Sequence, residues 1–307
     1  VARSALPARG LMLAVTCAAS IFDKMVLAGT SSILASGIIE ELSGIRVSYA
    51  QWFLAYLPCD VLTVLACWRL MAWLFPDRDG VFDGCADLVR AQRDALGPWS
   101  AAEWRTAVLV AAAIGVWLTE AWHGVRPSTA ALVIGAATLL PGPGSGASPW
   151  RRAMRLPVRT LVFTASALGM SAALAEAGAL PYLTRGLVAW MAPLVDSRVS
   201  AAVVLYWGAF VYHLLLGAQN LLVTATLPAI VTLGLAEGHN PATLGMIWLF
   251  GTAGKIFPYQ SGVLMVGYSF GSFTARDLIR AGLLLAVVES ILLLLTVAFY
   301  WPLVGLG

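Results

Sequence analysis

Side chains that could do chemistry are sparse here, and most of them interrupt long apolar runs. The chain has only two lysines, Lys24 and Lys255, and each stands just before a break in such a run. Each also follows a polar start, Arg9 or Asn240, at the same spacing, about 22 Å of helix at 1.5 Å per residue. Two matched ammonium groups deep in apolar surroundings are costly and default to function. Two readings follow: the lysines attract an anion, or each is neutralised by a carboxylate such as Asp23 or Asp60 and holds parts of the chain together. Asp60 and Glu289 lie inside long apolar spans, where they serve a proton relay or, the favoured reading, pair with a lysine. His213 titrates near neutral pH when exposed, but here it reads as a satisfied hydrogen-bonder. His123 and His239 read as loop residues, and Glu176 as wetted at the end of its span.

A second group of polar residues sits at interruptions. Gln219 and Asn220 form the tip between two apolar runs, in Gly217-Ala218-Gln219-Asn220. Their amides donate to carboxylate or sulfate oxygens and accept a cation. Ser31, Ser32 and Ser261 add hydroxyls at two further breaks. The half-helices expected to start at Ile33 and Val263 aim their positive N-terminal dipoles at the same place. This is chemistry for holding an anion, and not for breaking bonds. The sequence contains no His-Glu-x-x-His, and its buried acids do not form an aspartyl pair. Cys17, Cys59, Cys67 and Cys85 show no paired spacing, which argues against a disulfide framework or a zinc site.

The elements that must position these residues are membrane helices. The chain is 60% hydrophobic and 11% charged, with a mean hydropathy of +0.82, which predicts an all-α polytopic membrane protein. Its arginines are spread over short loops, so no nucleic-acid partner is expected; lipid is. In order, the pattern predicts an apolar helix over 11–28, a break at Gly29-Thr30-Ser31-Ser32, and a short piece over 33–39. Ser48-x-x-Gln51 then reads as a capping box opening a long span to about Phe75. Residues 77–105 read as an aqueous amphipathic arm. Spans over 106–122, 128–141 and 161–174 follow, then an interfacial helix over 187–193. Next come a re-entrant hairpin over 199–236, a broken helix over 241–269 and a last span over 275–301, capped by Thr274-x-x-Asp277. The domain reading is therefore 1–76, 77–105 and 106–307. Trp117, Trp122, Trp190, Tyr300 and Trp301 read as interface-belt aromatics.

Arginine placement orients the chain. One side collects Arg3, Arg9, Arg78, Arg90, Arg93, Arg105, Arg151, Arg152, Arg155, Arg159, Arg276 and Arg280; the other keeps Arg46, Arg126, Arg185 and Arg198. The first side is read as cytoplasmic, in a bacterial cytoplasmic membrane, with the C-terminus outside. Gly29–Gly37 (GTSSILASG) also aligns with Tyr259–Gly267 (YQSGVLMVG) at a constant offset, matching Ser31 with Ser261, Leu34 with Leu264 and Gly37 with Gly267. The two copies run in opposite directions, so an inverted repeat is expected, with two discontinuous helices meeting at midplane. That is the layout of a secondary transporter's site. Only the second copy has a hairpin before its broken helix, and Val1 is not an initiator. Roughly 100 or more residues are expected upstream if the halves were once equal.

At these residues the chain resembles the divalent-anion/sodium symporter family, the sodium-coupled sulfate and di- or tricarboxylate transporters. The stretches that carry the resemblance are GTSSILASGIIEELSGIRVSYAQWFLAYLP, HGVRPSTAALVIGAATLLPG, GAQNLLVTATLPAIVTLG and KIFPYQSGVLMVGYSFGSFTARDLIRAGL. The resemblance implies a small divalent anion as substrate, a dicarboxylate such as succinate or else sulfate, with Na+ as coupling ion and a homodimeric assembly. Together with the reading of the residues above, it gives substrate contacts from Asn220, Gln219, Thr224, Ser31, Ser32, Ser261, Lys24 and Lys255. It implies cation contacts from Gly29, Thr30, Gly217, Gln219, Asn220, Gln260 and Ser261. The sequence departs from the family where the usual Ser-Asn-Thr tip reads Gln219-Asn220-Leu221, with Thr224 one turn on as the substitute hydroxyl. The alternatives are a sodium-independent transporter driven by protons or exchange, with Lys24 and Lys255 in place of sodium, and a transport-inactive membrane scaffold.

Overall fold

The computed structural model describes residues 6–27, 29–76, 85–138, 140, 173, 176–178, 182, 186, 188–216 and 219–306. The arginine loop 151–159, most of the span expected over 161–174, and Gly217-Ala218 of the hairpin tip lie outside the described residues. Among the described residues every regular element is a helix. In chain order these are α1 (Leu6–Met25), α2 (Thr30–Ser43), α3 (Tyr49–Leu74), α4 (Cys85–Leu96), α5 (Ala101–Leu118), α6 (Glu120–His123) and α7 (Pro127–Thr138). They continue as α8 (Arg198–Leu216), α9 (Gln219–Glu237), α10 (Pro241–Gly251), α11 (Gly262–Ser269) and α12 (Ala275–Leu295). Among the described residues, five helical stretches are long and apolar enough to cross a membrane: Tyr49–Leu74, Ala101–Leu118, Arg198–Leu215, Gln219–Glu237 and Ala275–Val304. The chain is an all-α, multi-pass integral membrane protein.

Local sequence explains where these helices start. Thr274 and Asp277 form a reciprocal capping box, with the Asp277 N–H on the Thr274 hydroxyl and the Thr274 N–H on the Asp277 carboxylate. Asn240 caps α10 by accepting from the Ala242 and Thr243 N–H groups, with Pro241 at the first helical position. Ser100 and Glu103 form a further box that starts α5 five residues before the expected Thr106. The Ser-x-x-Glu signal was present in the sequence, ahead of the apolar run.

The structure corrects three expectations. A re-entrant hairpin over 199–236 implies arms too short for a bilayer. With their approach residues α8 and α9 each reach 19 residues, about 28 Å, which is in the range of full crossings. The half-helices start at Thr30 and Gly262, before the expected Ile33 and Val263. Gly29 takes the cap position in extended backbone and its carbonyl accepts the Ile33 N–H at 2.9 Å. Trp301 is not a belt aromatic but is 0% exposed. Pro58 inside α3 supplies no N–H to the carbonyl of Leu54, and the next carbonyl along is that of Ala55. The Tyr300 hydroxyl donates to the first at 3.1 Å and the Trp301 indole to the second at 3.0 Å. The chain end thus repairs a proline break in a spanning helix, as a dry environment requires.

The chain forms two compact units. One comprises residues 1–47, 51–77 and 163–307, the other 48–50 and 78–162. In the smaller unit α5 packs on α7. The Arg105 guanidinium donates to the Ala137 and Leu140 carbonyls at 2.6 and 2.7 Å, which closes the end of α7. The Glu120 carboxylate accepts the Tyr49 N–H at 2.8 Å. In the larger unit α2 packs on α9 and α10, α1 on α11, and α8 on α10 and α12. Close approach there depends on glycine. A Cβ on Gly251 would lie 2.5 Å from the Tyr206 carbonyl oxygen and 2.7 Å from the Ala209 Cβ, whereas one on Gly262 would meet nothing within 4 Å. Gly251→Ala is therefore expected to destabilise the protein by about 1–3 kcal/mol, and Gly262→Ala by less than about 0.5 kcal/mol. Thermal denaturation of both variants in detergent checks the contrast.

Candidate functional site

Two helices of the larger unit are interrupted. The first breaks over 26–29, between α1 and α2; the second breaks over 252–261, between α10 and α11, with a single 3-10 turn at Pro258–Gln260. Each break frees backbone groups that need partners away from water. At the first, the Lys24 carbonyl accepts from the Ser32 hydroxyl at 2.9 Å and from the Trp52 indole at 3.0 Å. At the second, Gln260 is 0% exposed, and its side-chain oxygen accepts the Ile256 and Phe257 N–H groups, both at 2.7 Å. Its amide nitrogen donates to the His213 carbonyl at 3.3 Å. An amide oxygen has two lone pairs, and here both serve the break.

The hairpin tip reaches this second break. Gln219, the first residue of α9 and buried, donates from its amide nitrogen to the Thr252 hydroxyl at 3.1 Å. Thr252 in turn donates to the Leu249 carbonyl at 2.6 Å, which tightens the end of α10. Asn220 beside it is half-buried. Thr224 is buried, and its hydroxyl donates to the Asn220 carbonyl at 2.8 Å. Ser261 caps α11 by accepting from the Val263 N–H at 3.2 Å. Ser31 and Ser32 are buried in the first turn of α2, while Gly29 and Thr30 are half-buried. Gly217 lies outside the described residues. The structure thus gathers Gln219 to the second break, and Ser32 to the first.

The two lysines part company. Lys24 occupies the last turn of α1, where a cation complements the helix dipole. It is 1% exposed, 2.6 Å from Glu289 Oε1 on α12 and 3.1 Å from Asp60 Oδ1 on α3. Its ammonium also lies 4.0 Å from the centroid of the Phe250 ring. Lys24 thus makes the ion pair with Asp60 that one of its two readings expects. The Asp23 side chain lies outside the described residues. Lys255 is buried and donates to the Ser20 hydroxyl at 2.8 Å. It lies four residues beyond the end of α10, so the expected depth of about 22 Å shrinks to about 16 Å of helix followed by non-helical backbone. Lys255, Ser20, Cys17 and Glu289 line a cavity of about 20 Å³.

Sequence reasoning missed Tyr206, Trp52, Thr252 and Ser20. The Tyr206 hydroxyl, on the first hairpin arm, donates to the Ala286 carbonyl at 2.9 Å and to Glu289 Oε2 at 3.2 Å. Only Ser20 carried a signal, one helical turn before Lys24 in the sequence. The others are aromatic or hydroxyl residues inside apolar runs and gave none.

A multi-pass membrane protein whose two interrupted helices enclose buried amides, hydroxyls and a shared ammonium is the class defined by this geometry. The chain belongs to the sodium:sulfate symporter family, whose transmembrane region matches residues 3–306. A membrane protein of Cupriavidus necator is 26% identical over 310 residues, covering 97% of this chain and 59% of that protein. A citrate/succinate antiporter of Escherichia coli is 23% identical over 308 residues, covering 96% and 60%. The chloroplastic dicarboxylate transporter 2.1 of Arabidopsis thaliana is 25% identical over 305 residues, covering 94% and 52%. The chain thus spans between 52% and 60% of the length of these relatives.

Removing Lys24 would leave Asp60 and Glu289 facing each other without a cation. Lys24→Met is expected to cost about 3–5 kcal/mol, the penalty for breaking a buried pair from one side. The triple variant Lys24→Met/Asp60→Asn/Glu289→Gln should recover most of that loss. Detergent melting curves compare them; equal losses in both would mean that Lys24 acts through packing alone.

Proposed function

We propose that the protein is a secondary active transporter of small divalent anions, working by alternating access, with a dicarboxylate ahead of sulfate as substrate. The observation that carries this reading is the crossing of the two broken helices. The N-terminal half of each packs on the C-terminal half of the other, α1 on α11 and α2 on α10. That reciprocal pairing is what an inverted repeat would produce. Family membership and the relatives' names, a citrate/succinate antiporter and a dicarboxylate transporter, support the substrate class. In this reading Gln219 and Asn220 at the tip, with Ser31, Ser32 and Ser261 at the breaks, face the anion. The N-terminal dipoles of α2 and α11 favour its charge. Lys24 and Gln260 are positioning residues, because their polar atoms are committed to Asp60, Glu289 and the break backbone. The protein sits in a bacterial cytoplasmic membrane with its C-terminus outside, which the arginine distribution supports.

A sodium-independent cycle, driven by protons or exchange, is the second reading. It is favoured by a hairpin tip that carries Leu221 after Asn220, without hydroxyls on either side, and by a Gln260 oxygen occupied by two N–H groups. Labelled succinate uptake into proteoliposomes carrying the full-length protein, with and without an inward sodium gradient and with sulfate as competitor, separates the readings. Uptake is expected, and Asn220→Ala should lower it by about tenfold or more, the cost of losing a buried polar contact to the anion. A sodium requirement favours symport; indifference favours the second reading. Absence of both succinate and sulfate uptake would leave a membrane scaffold.

A further inference from the structure

Asp60 is buried in the middle of a spanning helix at 0% exposure, and among the described residues no donor other than the Lys24 ammonium reaches either of its oxygens. That ammonium is already closer to another acid, Glu289 Oε1, at 2.6 Å. Glu289 is further satisfied by the Tyr206 hydroxyl on Oε2. The groups that face Asp60 are few. They are Lys24 from α1, Glu289 from α12, and Tyr56 and Cys59 from its own helix; α10 presents the uncharged Phe250 ring to the same ammonium. Lys255 lines the same small cavity as Glu289, with its ammonium on Ser20. One ammonium therefore serves two carboxylates in a place where an uncompensated charge is strongly disfavoured. The Lys24–Glu289 pair is neutral by itself, and Asp60 is the acid left over.

We propose that Asp60 and Glu289, sharing Lys24, form a proton-binding site, and that one proton taken up and released there accompanies each transport cycle. The cycle rests on the transporter reading above; the proton site itself does not. In the binding step a hydronium ion passes its proton to a carboxylate oxygen of Asp60, breaking one of its own O–H bonds and leaving a water molecule. One O–H bond forms, no electrons are transferred, and the Lys24–Glu289 pair stays intact. Release reverses the step and restores the carboxylate. The cavity beside Glu289, about 20 Å³, exceeds the roughly 10–15 Å³ that one water needs, and Ser20, Lys255 and Glu289 supply its polar partners. A water there would meet the cluster at Glu289, the acid that shares Lys24 with Asp60. The mechanical consequence is local. Ionised Asp60 holds the end of α1 against α3 through Lys24; protonated Asp60 weakens that hold while Glu289 keeps α1 on α12. The element so released ends at the first helix break.

Infrared difference spectra of the full-length protein, recorded between acid and alkaline pH, test the site without any transport. A protonated-carboxyl band that grows toward acid pH is expected in the wild type, absent in Asp60→Asn and retained in Glu120→Gln, a buried acid of the smaller unit. If Asp60→Asn does not reach the membrane, Asp60→Glu replaces it, and the band should shift in frequency. No such band in the wild type, or a band that neither variant changes, overturns the proposal. In proteoliposomes, a gradient of one pH unit should drive about tenfold succinate accumulation for one coupled proton, since the two ratios are equal at balance. Asp60→Asn should lose that accumulation and keep counterflow exchange; accumulation equal to wild type overturns the coupling. Absence of any wild-type uptake would defeat the transporter reading, while the infrared result would still decide the proton site.

Discussion

An interrupted helix in a membrane is tolerated only if the protein itself satisfies the backbone groups set free, and this requirement organises the larger unit. At the first break the Lys24 carbonyl is held by Ser32 and Trp52; at the second the Ile256 and Phe257 N–H groups are held by Gln260. These partners come from α2 and α3 at the first break, whereas the second supplies its own. The same logic governs the proline in α3, where the chain terminus supplies Tyr300 and Trp301 to the Leu54 and Ala55 carbonyls. Contacts that span 246 residues of sequence thus complete a single helix. Stability here is a matter of matched polar groups as much as of apolar packing, because lipid offers helices little hydrophobic driving force to associate.

The two breaks are matched in position but not in chemistry. The first is bounded by a cation locked between two acids, the second by an amide that knits the loop to itself and to the His213 carbonyl. A buried ion cluster is a poor source of net stability, since the desolvation of each charge offsets most of the attraction. Its value lies elsewhere. Lys24, Asp60 and Glu289 come from three helices, α1, α3 and α12, so the charges fix how these helices register on one another, while Phe250 brings α10 to the same ammonium. Charges that specify register can also release it when one of them changes state. The amide clamp at Gln260 has no such option, because an amide does not titrate.

Much of this was legible in the sequence, for reasons that differ by element. The break at the second copy, the caps at Asn240 and Thr274 and the long α3 span all follow from local signals: proline, an Asn or Thr cap, and a sustained apolar run. The membrane class follows from composition. What local reasoning misjudged were lengths and starts. The extent of α8 and α9 depends on residues outside the runs that defined the tip, and the start of α2 depends on Gly29 taking an extended conformation, which glycine allows but does not announce. At offset 230, Ser31 and Ser261 align, yet Ser261 caps its helix and Ser31 lies inside one, so the two helix starts differ by two residues from that alignment.

The site was legible as a list of polar residues and not as a set of partners. Lys24 and Lys255 look equivalent in sequence, each before a break, and nothing local distinguishes them. What separates them is tertiary: the acids at 60 and 289 converge on one lysine, and Ser20 meets the other. Convergence of this kind cannot be read from spacing, because the three positions are far apart in the chain and each lies in an otherwise ordinary apolar run. Tyr206 illustrates the same limit: a tyrosine in a spanning helix reads as packing until Glu289 is found at its hydroxyl. In a membrane protein the informative residues are those whose presence in an apolar run costs most. The sequence tells where that cost falls, and the fold tells which neighbour offsets it. Here the offset is incomplete at one residue, Asp60, whose charge is shared with an ammonium that already has a closer partner.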